Sequence, residues 1–155
     1  LLQGAKLMEN RDFKSLFGAV AKAHGFAAAN GVWYRETAVA LLVLHLQKSN
    51  YGNYFDLNIK LFLGCTRSTS PVAFKSLVKS HSGDVFRRQP PAYRDVFDLD
   101  TEVSAVDRSE SLDRMFTELV DRIAAACSTS EGLLRLRDEG VLFLLPGVEA
   151  RIKSA

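Results

Sequence analysis

The sequence predicts an α+β fold, in which an antiparallel sheet packs against one N-terminal helix and a group of C-terminal helices. Two strand-like segments, about 37–48 and 53–63, are separated by a short polar loop and predict a central hairpin. Apolar residues recur at helical spacing before this hairpin and again at 107–126. Of the 155 residues 47% are hydrophobic, which is enough to bury the core of one domain. We therefore expect residues 8–155 to form a single globular domain.

The first seven residues are expected to be a cloning remnant. They have neither the basic region nor the long apolar region of a signal peptide, and Met8 follows as the expected native start. The first helix comes next, because Phe13, Phe17 and Val20 recur at helical spacing and Gly25 is placed to end the helix.

Two short strands are predicted after this helix. Asn30-Gly31 lies between Phe26–Ala29 and Val32–Glu36. Because Asn-Gly between strand-like residues is typical of a tight turn, these segments are predicted to pair as a small hairpin.

The central hairpin has the clearest pattern in the chain. From residue 53 to residue 63 apolar and polar side chains alternate, which is the period of a half-buried strand. The start of the preceding strand, at 39–44, is apolar on both faces, so we expect that strand to lie in the centre of the sheet.

The register of this hairpin can also be predicted. If Ser49–Gly52 is the loop, Leu46 lies opposite Phe55, and the apolar faces of the two strands coincide. The same register places His45 opposite Asp56 on the other side of the sheet. We call the side that carries Leu46 and Phe55 the first face, and the side that carries His45 and Asp56 the second face.

The second half of the chain is predicted to contain shorter elements. Three further strands are expected, at 85–88, 97–103 and 141–145. Helices are expected at 107–126 and 131–138, with a short helix or irregular segment at 72–81 and a helical tail after Pro146.

Composition limits the classes of function. The 20 Lys and Arg against 18 Asp and Glu give a net charge of +2, too small to indicate a nucleic-acid or membrane partner by itself. Cys65 and Cys127 lie far apart without a CxxC pattern, so we expect no disulfide framework and a reducing cytoplasm. No apolar run reaches membrane-spanning length. We expect no cofactor.

His45 and Asp56 are the pair most like catalytic machinery, since a cross-strand carboxylate can orient an imidazole and raise its pKa. A structural polar pair is the better interpretation, because the sequence offers no nucleophile or metal motif beside it. A metal site that adds His24 or His81 is disfavoured, since no two histidines have a ligand spacing.

The second sheet face is the best candidate for a binding site. An aromatic surface ringed by hydrogen-bonding groups is typical of protein and nucleic-acid sites. The alternative is that helices cover its apolar part and the remainder is solvated sheet. The predicted binding residues, with the loop between the two strands included, are Trp33, Arg35, His45, Gln47, Tyr51, Tyr54, Asp56 and Asn58.

A nucleic-acid site is the alternative from another class. The middle of the chain is locally basic, and such side chains can bind phosphates, although a solvated or internally paired surface explains them as well. The candidate phosphate ligands are Lys75, Lys79, Arg87, Arg88 and Arg94.

Three short motifs carry a resemblance to a known family. Gly25-Phe26, Trp33–Arg35 and the stretch LQKSNYGNYFDLN at 46–58 resemble the bacterial domain-of-unknown-function family numbered 4304, mainly over residues 13–65. The resemblance implies an α+β fold and a bacterial origin, but no site residues. Together with the absence of catalytic motifs, it favours a non-enzymatic protein-interaction module, of the immunity or accessory type, with an unidentified protein partner.

Overall fold

The fold is a five-stranded antiparallel sheet with helices on both faces, as expected for an α+β domain. The computed structural model describes residues 7–69, 73–80 and 82–155, so six of the seven residues of the expected cloning remnant lie outside it. The strands follow chain order across the sheet: β1 Ala27–Ala29, β2 Val32–Glu36, β3 Ala40–Lys48, β4 Phe55–Leu63 and β5 Val85–Arg88.

The helices lie mainly at the two ends of the chain. They are α1 Asn10–Ala23, α2 Phe74–Ser80, α3 Arg94–Phe97, α4 Ala105–Met115, α5 Asp121–Ala126, α6 Ser130–Asp138 and α7 Pro146–Ser154. One turn of π-helix, Phe116–Val120, joins α4 to α5. The helix predicted at 107–126 is therefore confirmed as one continuous helix. The predicted tail helix is α7.

The first hairpin forms as predicted. Ala29 pairs with Val32 across the two-residue turn. Asn30 and Gly31 have φ of 53° and 79°, which is the left-handed backbone that a type I′ turn requires.

The central hairpin has a different register from the predicted one. Leu46 lies opposite Leu57, not Phe55, so the pairing is shifted by two residues. Lys48 pairs with Phe55, so six residues lie between the paired ends of the strands instead of four. Among these residues the Ser49 amide donates to the Tyr54 carbonyl at 3.0 Å, the Asn53 carbonyl accepts from the Leu99 amide at 2.8 Å, and Tyr54 forms an isolated bridge with Asp98. Because side chains alternate with a period of two, this shift keeps every residue on its predicted face.

The main core lies between the first face of the sheet and the helices. Its centre is a cluster of aromatic rings from α1, β4, α3 and the π turn, with neighbouring centroids 5.4–6.4 Å apart: Phe13, Phe17, Phe55, Phe97 and Phe116. All five rings are at most 1% exposed. Leu42, Leu44, Leu57 and Ile59 join the same cluster from the sheet.

Two predicted strands are wrong. Phe97 ends α3, and the segment after it contributes only the single bridge from Asp98. Residues 141–145 alternate in burial, with Leu142 and Leu144 buried and Phe143 exposed, but the described chain shows no ladder there. The alternation arises because one side of an extended segment packs on the core without a neighbouring strand.

Candidate functional site

The second face of the sheet is covered at one end. Phe74, Leu77 and Val78 of α2 pack against Val43 and Phe62, together with Val32 and Leu41, and form a small second core. The apolar part of this face is therefore covered by a helix, as in the alternative interpretation, and the polar end is the part left accessible.

A buried lysine marks the boundary between the two ends. Lys60 is 3% exposed, its ammonium donates to the carbonyl of Val78 at 2.7 Å, and burial lowers its pKa. The same ammonium lies 3.4 Å from Nδ1 of His45. Lys60 thus holds α2 to the sheet through the backbone of the helix.

His45 is neutral at physiological pH. Burial lowers its pKa to about 4, and the positive charges of Lys60, Lys79 and Lys14 act in the same direction. In the observed register it lies opposite Asn58, while Asp56 lies opposite Gln47. The predicted His45–Asp56 pair is therefore wrong, because the hairpin loop is two residues longer than expected.

The polar end of the second face is a hydrogen-bonded row, which we call the polar row: Gln47, Asp56, Asn58, Arg88 and Gln89. The Asn58 amide donates to Gln47 at 2.9 Å and accepts from Nε of Arg88 at 3.2 Å. Gln89 donates to Asp56 at 3.3 Å and accepts from the Leu57 amide at 2.7 Å. A salt bridge of 3.8 Å between Arg88 and Asp56 links the two halves.

A small cavity lies next to the polar row at the base of the central hairpin. It has a volume of about 280 Å³ and is lined by Tyr54, Phe55, Asp56, Gln89, Pro90, Pro91, Arg94 and Asp98. Asp98, which follows α3 directly, lies on one side of this cavity.

Helix α3 and the segment after it are held by an arginine that the sequence analysis missed. Arg108 of α4 is 1% exposed, and its guanidinium donates to the carbonyl oxygens of Asp95, Val96, Asp98 and Thr101. The sequence does contain a sign that Arg108 is buried, because position 108 continues the buried helical stripe of Leu112 and Met115.

The eight predicted binding residues are divided among four places. His45, Gln47, Asp56 and Asn58 lie on the second face as expected. Tyr51 is 95% exposed at the tip of the hairpin loop, and Tyr54 lines the cavity at its base.

Trp33 and Arg35 lie on the opposite face, where the prediction is wrong. Trp33 pairs with Leu44 and packs on Phe17 of α1 with ring centroids 4.8 Å apart. Arg35 pairs with Leu42 and donates to the His24 carbonyl at 3.3 Å. The pairing of β2 with β3 sets this orientation, and alternation within β2 alone does not.

The predicted phosphate ligands do not share one surface. Arg87 and Arg88 are neighbours in β5 and point to opposite faces, and Arg87 donates to the Val141 carbonyl at 2.8 Å. Lys75 and Lys79 are exposed on α2, while Arg94 lines the small cavity.

A second histidine lies in a contrasting environment. His24 follows α1, and its ring nitrogens lie 2.7 Å from carboxylate oxygens of Asp113 and Asp121. Burial acts to lower its pKa, but the hydrogen bonds and charges of both carboxylates outweigh burial and raise it. Two carboxylate partners require both nitrogens to donate, as in the imidazolium form.

The π turn is what aligns the two carboxylates. Residues eight apart in a regular α-helix differ in direction by about 80°. One π turn between them takes up an extra residue, so Asp113 and Asp121 face His24 together.

No helix in the described ranges is long and apolar enough to span a bilayer. The same ranges contain no cluster of three acidic, histidine or cysteine side chains placed to hold a metal ion, and His81 lies outside them.

Sequence comparison decides the family. The model of the family described as Domain of unknown function (DUF4304) matches residues 17–126. The chain belongs to the DUF4304 family. The match confirms the resemblance and extends it beyond residue 65, through the polar row and to the end of α5. No curated protein and no solved structure gives a significant match to this DUF4304 chain.

Proposed function

We propose that the protein is a non-enzymatic protein-interaction module of a bacterial cytoplasm, of the immunity or accessory type, and that it binds a protein partner through the polar row. The observation that carries the proposal is the hydrogen-bonded order of this row. Side chains already fixed in the free protein lose little conformational entropy on binding, so their contacts contribute more to affinity.

The surroundings of the polar row support a protein partner. Gln47 is exposed, and the Arg88 side chain is 49% exposed, so both are accessible. Phe86 is 39% exposed beside them, with the Arg88 guanidinium 5.9 Å from its ring centroid, and Tyr51 extends from the loop. Arginine and aromatic side chains together are enriched at the energetic centres of protein interfaces.

The adjacent cavity adds a feature of the same kind. Its volume of about 280 Å³ is below that of most small-molecule sites but is sufficient for one side chain of a partner. Asp56 and Gln89 belong both to the cavity wall and to the polar row, so an inserted side chain would contact the row directly.

Site-specific crosslinking in the native host tests the proposal. A photo-reactive amino acid at position 47 is expected to capture a discrete partner, and Arg88→Ala is expected to abolish that product. The same probe at Glu131, which is exposed on α6, is the matched control. Identical products from positions 47 and 131, or a product insensitive to Arg88→Ala, would contradict the proposal.

No observation favours the other two classes. The candidate phosphate ligands are dispersed, and the net charge of +2 supplies little long-range attraction for nucleic acid. The enzyme hypothesis depended on His45 and Asp56, which are not paired.

A further inference from the structure

Two consecutive arginines in β5 use their side chains in opposite ways. Arg87, on the first face, donates from Nε to the Arg88 carbonyl at 3.1 Å and from Nη1 to the Val141 carbonyl at 2.8 Å. Arg88, on the second face, donates from Nε to the Asn58 side chain at 3.2 Å. Within the described ranges no acceptor lies at hydrogen-bond distance from Nη1 or Nη2 of Arg88. The outer edge of this guanidinium is therefore available to a partner.

The remainder of the Arg88 side chain is oriented by its neighbours. Asn58, which accepts from Nε, is 5% exposed and is itself hydrogen-bonded to Gln47. The guanidinium carbon lies 5.9 Å from the ring centroid of Phe86. Because Nε is already used, the two terminal nitrogens are left as an oriented fork, and such a fork matches the two oxygens of a carboxylate.

The acid of the polar row does not fill this position. Oδ2 of Asp56 lies 3.8 Å from Nη1 of Arg88, which is an ion pair but is too long for a hydrogen bond. Its other oxygen, Oδ1, accepts from Gln89. A carboxylate from outside can therefore bond the terminal nitrogens of Arg88 while Asp56 keeps its place in the polar row.

The charge of the second face favours an acidic partner. His45 lies on this face, and its pKa is lowered by burial and further by the charges of Lys60, Lys79 and Lys14, which are all positive. Arg88 adds a positive charge at the polar end, where Asp56 offsets one. A surface with this balance attracts and orients an anionic segment.

We propose that the partner of the polar row presents an aspartate or glutamate, and that Arg88 binds its carboxylate through Nη1 and Nη2. An apolar residue next to that acid packs on Phe86, whose ring is 39% exposed. Asn58 is a positioning residue, since it orients the guanidinium through Nε without touching the acid. Because the acid belongs to that partner, this inference rests on the proposed function.

A short blocked peptide tests recognition of the acid without the natural partner. The probe is acetyl-Leu-Asp-Leu-amide, titrated into the whole chain and followed by NMR at the Nε–H of Arg88 and the side-chain amide of Asn58. We expect saturable shifts at millimolar concentration, which weaken as salt rises. The same peptide with asparagine in place of aspartate is expected to bind roughly fivefold more weakly, as for the loss of one exposed ion pair.

Three variants separate the fork from charge alone. Arg88→Lys keeps the charge but loses the fork, and is expected to lose most of the preference for the aspartate peptide. Asp56→Asn keeps the shape and removes a competing carboxylate, so it should strengthen binding of the aspartate peptide about twofold. Arg135→Lys, exposed on α6, is the matched control and should bind as the unmodified protein does.

Four results would overturn the inference: no saturable shifts, equal affinity for the aspartate and asparagine peptides, an unchanged preference in Arg88→Lys, or tighter binding of inorganic phosphate, which would indicate a nucleic-acid ligand. Crosslinking from position 47 tests the proposed function separately. If the aspartate preference is present and no partner is captured, the proposed function fails and the carboxylate site stands. If a partner is captured and the preference is absent, only the inference fails.

Discussion

On the first face of the sheet Leu44, Leu57 and Ile59 are at most 1% exposed within one apolar cluster that includes the helices. On the second face α2 covers Val43 and Phe62, but Gln47 and Arg88 remain in solvent. The same two central strands therefore pack into a continuous core on one side. On the other side they are covered by α2 at one end and exposed to solvent at the other. A substitution should act according to the face on which it lies.

The largest expected effect is on the first face. Leu57→Asp is expected to unfold the domain, because a carboxylate would replace a fully buried side chain without any partner. The control is Tyr51→Asp, which places the same residue at the exposed tip of the hairpin loop and should change stability by less than about 1 kcal/mol. Urea denaturation of both variants measures the difference. A native-like transition for Leu57→Asp would show that the core assignment is wrong.

A smaller effect is expected for Arg108, which lies on helix α4 of the first face and holds the segment beside the cavity next to the polar row. Arg108→Met leaves the carbonyl oxygens of the 95–101 segment without their donor and should cost about 2–4 kcal/mol. Arg114→Met, exposed on the same helix, should cost about 0.5 kcal/mol or less. Equal losses for the two variants would mean that the buried guanidinium does not stabilise the segment.

The pH dependence of stability is expected to have opposite signs for the two histidines, beginning with the larger effect. His45, on the second face, has a pKa of about 4 in the folded state and about 6.5 when unfolded. The unfolded state takes up a proton first, so the stability contributed by the neutral ring is present above pH 6.5 and is lost between pH 6.5 and 4. His45→Gln should reduce this loss by roughly 2 kcal/mol, measured as the difference in unfolding free energy from the unmodified protein.

His24, among the helices of the first face, should behave in the reverse way. Its pKa is raised in the folded state, so its contribution is fully present below pH 6.5 and is lost as pH rises through the folded value. His24→Gln should destabilise the protein at pH 5.5 by about 1 kcal/mol and have less effect at pH 9. A constant difference across this range would show that the carboxylates do not hold a charged imidazole.

The sequence predicted the faces of the central strands better than the pairing between them. Alternation in β4 specifies which side chains face the main core, and a register error of two residues leaves that unchanged. It does change which polar residues meet, because Lys48 pairs with Phe55 and not with Asn53. Asn53 and Tyr54 contact a segment more than forty positions away, which local patterns do not reveal. The predicted His45–Asp56 pair failed for this reason.

Trp33 and Arg108 illustrate two other limits. Alternation in β2 places Trp33 and Arg35 on one face, but only pairing with β3 identifies that face as the one packed against α1. Arg108 occupies a position that the helical stripe marks as buried, and a charged residue there is acceptable only because backbone carbonyl oxygens from another segment surround its guanidinium.

By itself the sequence determined the α+β class, the order of the main helices and strands, the tight turn at Asn30-Gly31 and the residues of the central core. These depend on local backbone preference and on periodic burial, both of which are written in short stretches of the chain. Only the tertiary structure decided the hairpin register, the covering of the second face by α2 and the carboxylate partners of His24. Each of these depends on contacts between segments distant in sequence, and short-range patterns do not specify such contacts.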